Sequence, residues 1–169
     1  MSKFVNQKLF TLEEAQEKRL ELKKQGKTLV LTNGCFDLLH AGHLFYLNKA
    51  AELGDRLWIA LNGEKSVAAL KGPTRPVQGN EERAYALASL ECVAGIILFE
   101  TPRLDHEIRM LQPDVYAKAG DYSIDKLNPD ERKALEEAGA DIQFLPFLEG
   151  YSTTSLIEKI SKAANTFCS

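Results

Sequence analysis

Apolar positions along the chain follow two alternating patterns. Short runs of consecutive apolar residues, typical of strands buried on both faces, alternate with segments whose apolar residues recur every three or four positions, as on a helix. The predicted strands are 27–32, 56–61, 95–99, 114–118 and 141–145. The predicted helices are 11–25, 42–53, 80–92, 104–111, 129–137 and 152–163. This alternation predicts an α/β fold, a single Rossmann-like doubly wound parallel sheet with helices on both faces.

Local signals mark the ends of the first and last helices. Thr11 and Glu14 have the spacing of a capping box, and Gly26 follows the first helix. Ser152 is a suitable cap for the last helix. No repeat, low-complexity tract or linker divides the 169 residues, so we expect one domain over 1–169. An amino-terminal helix within 1–26 is expected as an appendage, and 162–169 as a loose tail.

Three aromatic residues are predicted to belong to the core. Tyr46, Trp58 and Phe99 fall on apolar faces of their predicted elements, where packing is a commoner role than stacking on a ligand.

Composition narrows the classes of partner. The net charge is -3 and the pI about 5.7, which excludes attraction of nucleic acid or an anionic membrane by the overall field of the protein. No run approaches the roughly 18 apolar residues of a spanning helix, and the first ten residues lack a signal-peptide core, so we expect a cytoplasmic protein. An anionic substrate would have to be held by a local cluster of cations and backbone amides.

The cysteines give no indication of a metal or disulfide site. Cys35, Cys92 and Cys168 are widely separated and lack Cys-x-x-Cys spacing. We therefore expect reduced thiols that act as small apolar fillers.

Four segments follow predicted strands and are the candidate ligand-binding loops. Ligands of doubly wound sheets bind at the carboxyl ends of the strands, where the strand order reverses. The segments placed there are 33–43, 62–77, 118–122 and 149–154.

The first of these segments carries two histidines at the entrance of a helix. His40 and His43 are three positions apart, and Gly42 between them permits close approach of a ligand to the backbone. Free amides of the first helical turn add partial positive charge, so the arrangement suits a triphosphate. Two alternatives remain open from the residues alone: a capping histidine beside a core histidine, and a metal pair that lacks a nearby third ligand.

The second segment carries two cations. Lys71 and Arg75 lie in a predicted loop braced by Gly72, Pro73 and Pro76, and such a loop can meet a phosphate group. The alternative is an ordinary solvated loop.

The remaining two segments carry further polar groups. Lys118, Gly120 and Asp121 follow a strand and could contact a phosphate, ribose or base, although a plain turn is equally compatible. Residues 152–154, Ser-Thr-Thr, cap the last helix, and their hydroxyls and amides also form an anion site.

Residues 34–43 resemble a known signature. The run Gly-Cys-Phe-Asp-Leu-Leu-His-Ala-Gly-His is similar to the Gly-x-Phe-Asp-x-x-His-x-Gly-His motif of cytidylyltransferase-like nucleotidyltransferases. Segments 70–77, 118–122 and 149–154 most resemble the heptose 1-phosphate adenylyltransferases of ADP-heptose synthesis, and the resemblance runs from about 11 to 160. No kinase domain accompanies the match, so the resemblance implies a freestanding form.

The resemblance implies transfer of AMP from ATP to a heptose 1-phosphate, with release of pyrophosphate, for ADP-heptose and lipopolysaccharide core synthesis. The implied cofactor is Mg²⁺ carried by ATP, with no metal site on the protein. The resemblance is compatible with a homodimer and with a separate sugar kinase as pathway partner. The implied catalytic residues are His40, His43 and Lys71. Lys71 would contact the triphosphate or the substrate phosphate, and Arg75 would assist it there or hold the loop. The implied nucleotide-binding residues are Asn33, Gly34, Cys35, Phe36, Gly42, Lys118, Gly120, Asp121, Ser152, Thr153 and Thr154.

Three positions depart from the patterns of the family. Ala119 replaces a glycine, Gly63-Glu64 stands where Ser-Asp is more usual, and Phe147-Leu148 stands where the cytidylyl branch shows Arg-Thr. The last departure favours ATP over the alternative of CTP with glycerol 3-phosphate. A nucleotide-sensing module that performs no transfer is a further alternative.

Overall fold

The computed structural model describes residues 7–120, 123–146 and 148–167, which form one sheet of six parallel strands with helices between them. The strands are β1 (Leu9–Phe10), β2 (Leu29–Gly34), β3 (Arg56–Asn62), β4 (Val93–Phe99), β5 (Val115–Ala119) and β6 (Asp141–Leu145). The helices are α1 (Leu12–Lys24), α2 (Ala41–Ala51), α3 (Glu64–Lys71), α4 (Asn80–Ala88), α5 (Asp105–Leu111), α6 (Pro129–Ala138) and α7 (Thr153–Phe167), with a 3-10 turn at Ile124–Lys126.

Both faces of the sheet are covered, because successive side chains of a strand point to opposite sides. Val30 packs in one core with Leu47 of α2 and Leu87 of α4. Its neighbour Leu31 packs in a second core, with Ala15 of α1 and other residues of α1, α5 and α6. The central strands are therefore apolar on both faces, which is why they appear in the sequence as continuous apolar runs.

The strand order is β1-β4-β3-β2-β5-β6. The chain moves from β2 outward through β3 to β4, and then returns to place β5 on the other side of β2. The order reverses between β2 and β5, so the carboxyl ends of these two strands are where a ligand is expected. The predicted fold class is confirmed.

Two elements of the structure were not predicted. One is the very short strand β1, and the other is helix α3, which lies between two glycines. β1 has two residues and pairs with β4 through Leu9–Ile96 and Phe10–Ile97. The segment expected to be a loop around Lys71 contains α3, which begins at Glu64, so Lys71 is the last residue of a helix. The loop itself begins at Gly72, which has a φ of 100°.

The first and last described helices, α1 and α7, differ from the prediction. α1 is an integral layer rather than an appendage, because Ala15 is fully buried in the second core. α7 continues to Phe167, so it includes most of the predicted tail; Ala163 and Ala164 are strong helix formers. In the middle of the chain, α4 ends at Ala88 rather than Cys92, because β4 already starts at Val93.

Other local predictions are confirmed. Thr11 and Glu14 form the capping box of α1, and Tyr46, Trp58 and Phe99 are buried core residues. Cys35 and Cys92 are half-buried free thiols, while Cys168 lies outside the described residues. Among the described helices, none is both long and apolar enough to cross a membrane.

Candidate functional site

The two histidines form a stacked pair at the start of α2. His40 is the N-cap residue, and its ring lies 3.8 Å, centroid to centroid, from the ring of His43 at an angle of 22°. His43 also meets the ring of Phe36 edge-on, with the centroids 5.2 Å apart. The stack holds both imidazoles together at one helix end. Neither Nδ1 atom has a hydrogen-bond partner within the described part of the chain.

Backbone amides beside the stack are available to an anion. His40 makes no side-chain cap, and its carbonyl accepts from the amides of His43 and Leu44 at 2.9 and 3.2 Å. The amides of Ala41 and Gly42 have no partner among residues 7–120, 123–146 and 148–167. Free first-turn amides and the positive end of the helix dipole favour bound phosphate.

Gly42 occupies a position with no room for a side chain. A Cβ there would lie 3.1 Å from the His40 ring and 3.1 Å from Cβ of Tyr151. The same geometry places the segment before α7 against the start of α2. Ser152 caps α7 by accepting from the amide of Ser155 at 3.0 Å, which confirms the predicted cap.

Burial keeps the histidine pair neutral. Desolvation lowers the pKa of His43 from 6.5 to about 4, the neighbouring His40 adds to that shift, and a backbone hydrogen bond at Leu38 opposes it. Burial also lowers the pKa of His40. Neutral imidazoles can donate a hydrogen bond to phosphate, and an arriving polyanion would favour their protonation.

A polar network occupies the point where the strand order reverses. Asn33, at the end of β2, accepts through Oδ1 from the hydroxyl of Tyr116 at 2.8 Å and from Nζ of Lys118 at 2.9 Å. Lys118 is half-buried, and this partial burial lowers its pKa. Because a lysine ammonium only donates, the amide oxygen of Asn33 must face it, and the amide nitrogen points elsewhere. Lys118 therefore orients Asn33 in the free protein.

Asp37 holds the loop that follows α3. Its carboxylate is 2% exposed and accepts from Nε of Arg75 at 2.5 Å and from the amides of Val77 and Gln78 at 2.7 and 3.2 Å. Arg75 thus contacts the β2–α2 loop, as in the loop-holding role considered for it. Sequence reasoning gave Asp37 no role of its own, although it stands inside the signature.

Lys71 is the last residue of α3, directly before this loop. It is exposed and forms neither a hydrogen bond nor an ion pair with any residue that the structure describes. Burial raises the pKa of the Cys35 thiol, and the charge of Lys71 is the strongest opposing influence, followed by that of Arg83. The ammonium of Lys71 is therefore within electrostatic reach of the β2–α2 loop.

Arg83 on α4 is buried beside the site and was missed by sequence reasoning. It is 1% exposed and donates to the backbone carbonyls of Cys35 and Asn62 at 2.7 Å each. Arg83 lies one helical turn before the buried Leu87, on the inner face of α4. This spacing is the feature of the sequence from which its burial could have been predicted.

The remaining predicted positions are arranged as follows. Gly34 lies against the ring of Phe36, where a Cβ would be 2.7 Å from a ring carbon, and Phe36 itself has a positive φ of 42°. Gly120 has a φ of 101° and donates its amide to the carbonyl of Leu145. Thr153 and Thr154 start α7. Asp121 and Phe147 lie outside the described residues.

Within the described residues, no group of three or more His, Cys, Asp or Glu side chains is arranged to hold a metal ion. Asp37, the acid closest in sequence to the histidines, is already occupied by Arg75 and two amides.

A stacked histidine pair at a helix start with free amides, beside the reversal point of a parallel sheet, is typical of α/β proteins that bind phosphate-bearing ligands. Comparison with known proteins identifies the family. The family described as Cytidylyltransferase-like matches residues 31–159, and the chain belongs to it. The chain is therefore a nucleotidyltransferase.

Relatives with the same sequence pattern are larger proteins. The bifunctional protein HldE of Geobacter sulfurreducens is 45% identical over 141 residues, which is 83% of this chain and 28% of that protein. The bifunctional protein HldE of Hahella chejuensis is 40% identical over 152 residues, 90% of this chain and 31% of that protein. The chain thus spans less than a third of the length of these relatives.

Solved structures share the fold. A lipopolysaccharide core biosynthesis protein from Thermoplasma volcanium superposes with a TM-score of 0.59 at 23% identity, covering 75% of this chain and all of that one. A pantoate-beta-alanine ligase from Francisella tularensis gives a TM-score of 0.55 at 13% identity, covering 82% of this chain and 66% of that one. At these identities the likeness concerns the fold alone.

Proposed function

We propose that the protein transfers AMP from ATP to a heptose 1-phosphate and releases pyrophosphate, forming the ADP-heptose used in lipopolysaccharide core synthesis. The observation that carries the proposal is the stacked pair of His40 and His43 at the open end of α2. The choice of substrates is supported by the similarity to bifunctional proteins HldE and by segments 70–77 and 149–154, which resemble heptose 1-phosphate adenylyltransferases.

The reaction is an in-line displacement. A phosphate oxygen of the sugar phosphate attacks the α-phosphorus of ATP, the bond from that phosphorus to the bridging oxygen breaks, and pyrophosphate leaves with the electron pair. No covalent enzyme intermediate is needed. The task of the protein is to align two anions and to neutralise charge, which are the usual sources of catalysis in phosphoryl and nucleotidyl transfer.

The residues at the start of α2 would bind the triphosphate. The free amides of Ala41 and Gly42 donate to its oxygens, and His40 and His43 donate hydrogen bonds or bind as cations once the polyanion has raised their pKa. Loss of one such contact typically costs about 3 kcal/mol in the transition state.

Lys71 would neutralise charge that develops between the two substrates. It is the exposed cation nearest in the chain to the loop held by Asp37, and the described residues offer it no ion-pair partner. Arg75 contributes by holding the loop, since its Nε is engaged by Asp37.

Mg²⁺ would enter bound to ATP and would supply neutralisation of the phosphate charge. The protein would leave the ion to the nucleotide, because the buried acid of the signature, Asp37, is occupied by its own loop contacts.

The proposed reaction needs a supply of heptose 1-phosphate, so a separate sugar kinase is the expected pathway partner. The cytoplasm, where ATP is made, is the expected compartment.

The alternative substrates, CTP with glycerol 3-phosphate, are disfavoured by Phe147-Leu148, which replace the Arg-Thr of that branch.

A turnover screen tests the proposal. The four nucleoside triphosphates are each combined with both anomers of heptose 1-phosphate and with glycerol 3-phosphate, and pyrophosphate release is measured. We expect turnover with ATP and one heptose 1-phosphate anomer. Efficient use of CTP with glycerol 3-phosphate alone would overturn the substrate assignment, and tight ATP binding without any pyrophosphate would favour a nucleotide sensor.

A further inference from the structure

We propose that Arg83 is a positioning residue that holds Lys71 in place relative to the histidine pair. Its guanidinium connects three segments at the carboxyl edge of the sheet. Nη1 donates to the carbonyls of Cys35 and Asn62 at 2.7 Å each, and Nε donates to the carbonyl of Gln78 at 3.1 Å. The kinetic tests of this inference rest on the proposed function, whereas its hydrogen-exchange test does not.

Each of these carbonyls belongs to a segment with its own part in the site. Cys35 begins the loop that leads to His40. Asn62 ends β3 immediately before α3, and Gln78 ends the loop after α3. Arg83 therefore joins both ends of the segment that carries Lys71 to the loop that carries the histidines.

A second set of contacts holds the same junction, which consists of the β2–α2 loop, the end of β3 and the loop around Gln78. Asp37 accepts from the amides of Val77 and Gln78 at 2.7 and 3.2 Å. Oδ1 of Asn80 accepts from Nη2 of Arg83 at 2.6 Å and so fixes the plane of the guanidinium. The backbone around Gln78 is held by both an arginine and an aspartate, each almost fully buried.

Only an arginine can make this junction. Its planar fork directs donors at acceptors that lie in different directions, whereas a lysine presents its donors from a single atom at the end of a flexible stem. A lysine at position 83 would keep the charge but leave buried carbonyls without donors.

The effect on catalysis follows from the situation of Lys71. Its side chain is exposed and has no protein ion-pair partner in the described ranges, so its location depends on the backbone that carries it. Loosening that backbone should reduce the time that Lys71 spends beside the reacting phosphates, whereas His40 and His43 keep their own ring stack and their contact with Phe36. The expected signature is a fall in kcat with little change in the affinity for ATP.

The first experiment compares Arg83→Lys with a matched control, Arg19→Lys. Arg19 is 2% exposed and also donates to backbone carbonyls, those of Leu111 and Gln112, but it does so at the opposite, amino-terminal edge of the sheet. We expect Arg83→Lys to lower kcat at least about tenfold with a change in ATP KM below about threefold. We expect Arg19→Lys to keep kcat although it loses stability. Equal loss of kcat in both variants would overturn the proposal.

The second experiment is a double-mutant cycle with Lys71→Ala. If Arg83 acts by placing Lys71, then Arg83→Lys should cost less than about threefold in kcat when Lys71 is already absent. The same fold-loss in both backgrounds would contradict the proposal, because a purely structural effect would be independent of Lys71.

The third experiment needs no acceptor. Hydrogen exchange at the amides of Val77 and Gln78 should quicken at least about tenfold in Arg83→Lys and stay unchanged in Arg19→Lys. Unchanged exchange in Arg83→Lys would overturn the inference. If the wild type does not use heptose 1-phosphate, the proposed function is wrong. The inference about Arg83 is then decided by the hydrogen-exchange measurement alone.

Asn80→Ala provides a variant that disturbs the fold less. It removes the acceptor for Nη2 of Arg83 at the start of α4, together with a long, exposed hydrogen bond of 3.3 Å from Nδ2 of Asn80 to Glu100. We therefore expect changes in the same direction but smaller, about threefold in kcat and in exchange. No change in either quantity would contradict the proposal even if Arg83→Lys does not fold.

Discussion

Replacing His43 by glutamine should remove a specific part of the acid sensitivity of the fold. His43 has a pKa of about 4 in the folded protein, because burial and the stacked His40 disfavour its charged form. In the unfolded chain its pKa returns to about 6.5. Glutamine is neutral at every pH and retains a polar end, so His43→Gln deletes the titration with little change in bulk.

The sign follows from which state binds the proton. Below about pH 6.5 the unfolded chain takes up a proton at His43 while the folded protein does not, so the free energy of unfolding falls as the pH falls, until about pH 4. One pKa unit corresponds to about 1.4 kcal/mol, which gives a loss of about 3 kcal/mol over the whole window and about 2 kcal/mol between pH 7 and pH 5.

The assay is denaturant unfolding at a series of pH values between 7 and 5. We expect the wild type to lose about 2 kcal/mol more than His43→Gln over this range. His106→Gln is the control for replacing a histidine outside the stack, because His106 is exposed on α5. Identical slopes in the wild type and His43→Gln would refute the conclusion that burial keeps His43 neutral.

Three further predictions concern the site. Gly42→Ala should lower turnover at least about tenfold, because its Cβ would press on the His40 ring and on Tyr151; wild-type pyrophosphate release would contradict the close packing. Lys118→Met should weaken ATP binding in calorimetry about tenfold, since Asn33 loses a charged donor worth about 1.5 to 3 kcal/mol; unaltered affinity would separate Asn33 from the nucleotide. Excess chelator should abolish turnover and Mg²⁺ should restore it, whereas full activity in chelator would exclude the proposed role of the ion.

The main strands and helices could be predicted because each carries its own local signal. A strand such as β3 is apolar over five consecutive positions, Leu57 to Leu61, and α1 carries its own capping box. β1 could not be predicted, because two residues are too few to show a period and its formation depends on pairing with β4. α3 was hidden because glycines flank it on both sides.

The closeness of His40 and His43 could be predicted because they are three positions apart in the signature, whereas the groups that surround them are far apart in the chain. Arg83 binds carbonyls 48 and 21 residues away in the chain, and Asp37 binds Arg75 at a separation of 38. Such contacts depend on which loops the sheet order brings together, and a single sequence does not contain that order. A charged residue on a helix is usually solvated, so the burial of Arg83 required the tertiary structure.

The measurement that tests the central claim most directly is turnover of His43→Gln with ATP and heptose 1-phosphate at pH 7.5, beside its stability at the same pH. If the histidine pair binds charge in the transition state, kcat should fall at least about a hundredfold while the free energy of unfolding stays within about 1 kcal/mol of the wild type. Wild-type turnover in the folded variant, or a loss of activity explained by a large loss of stability, would contradict the account.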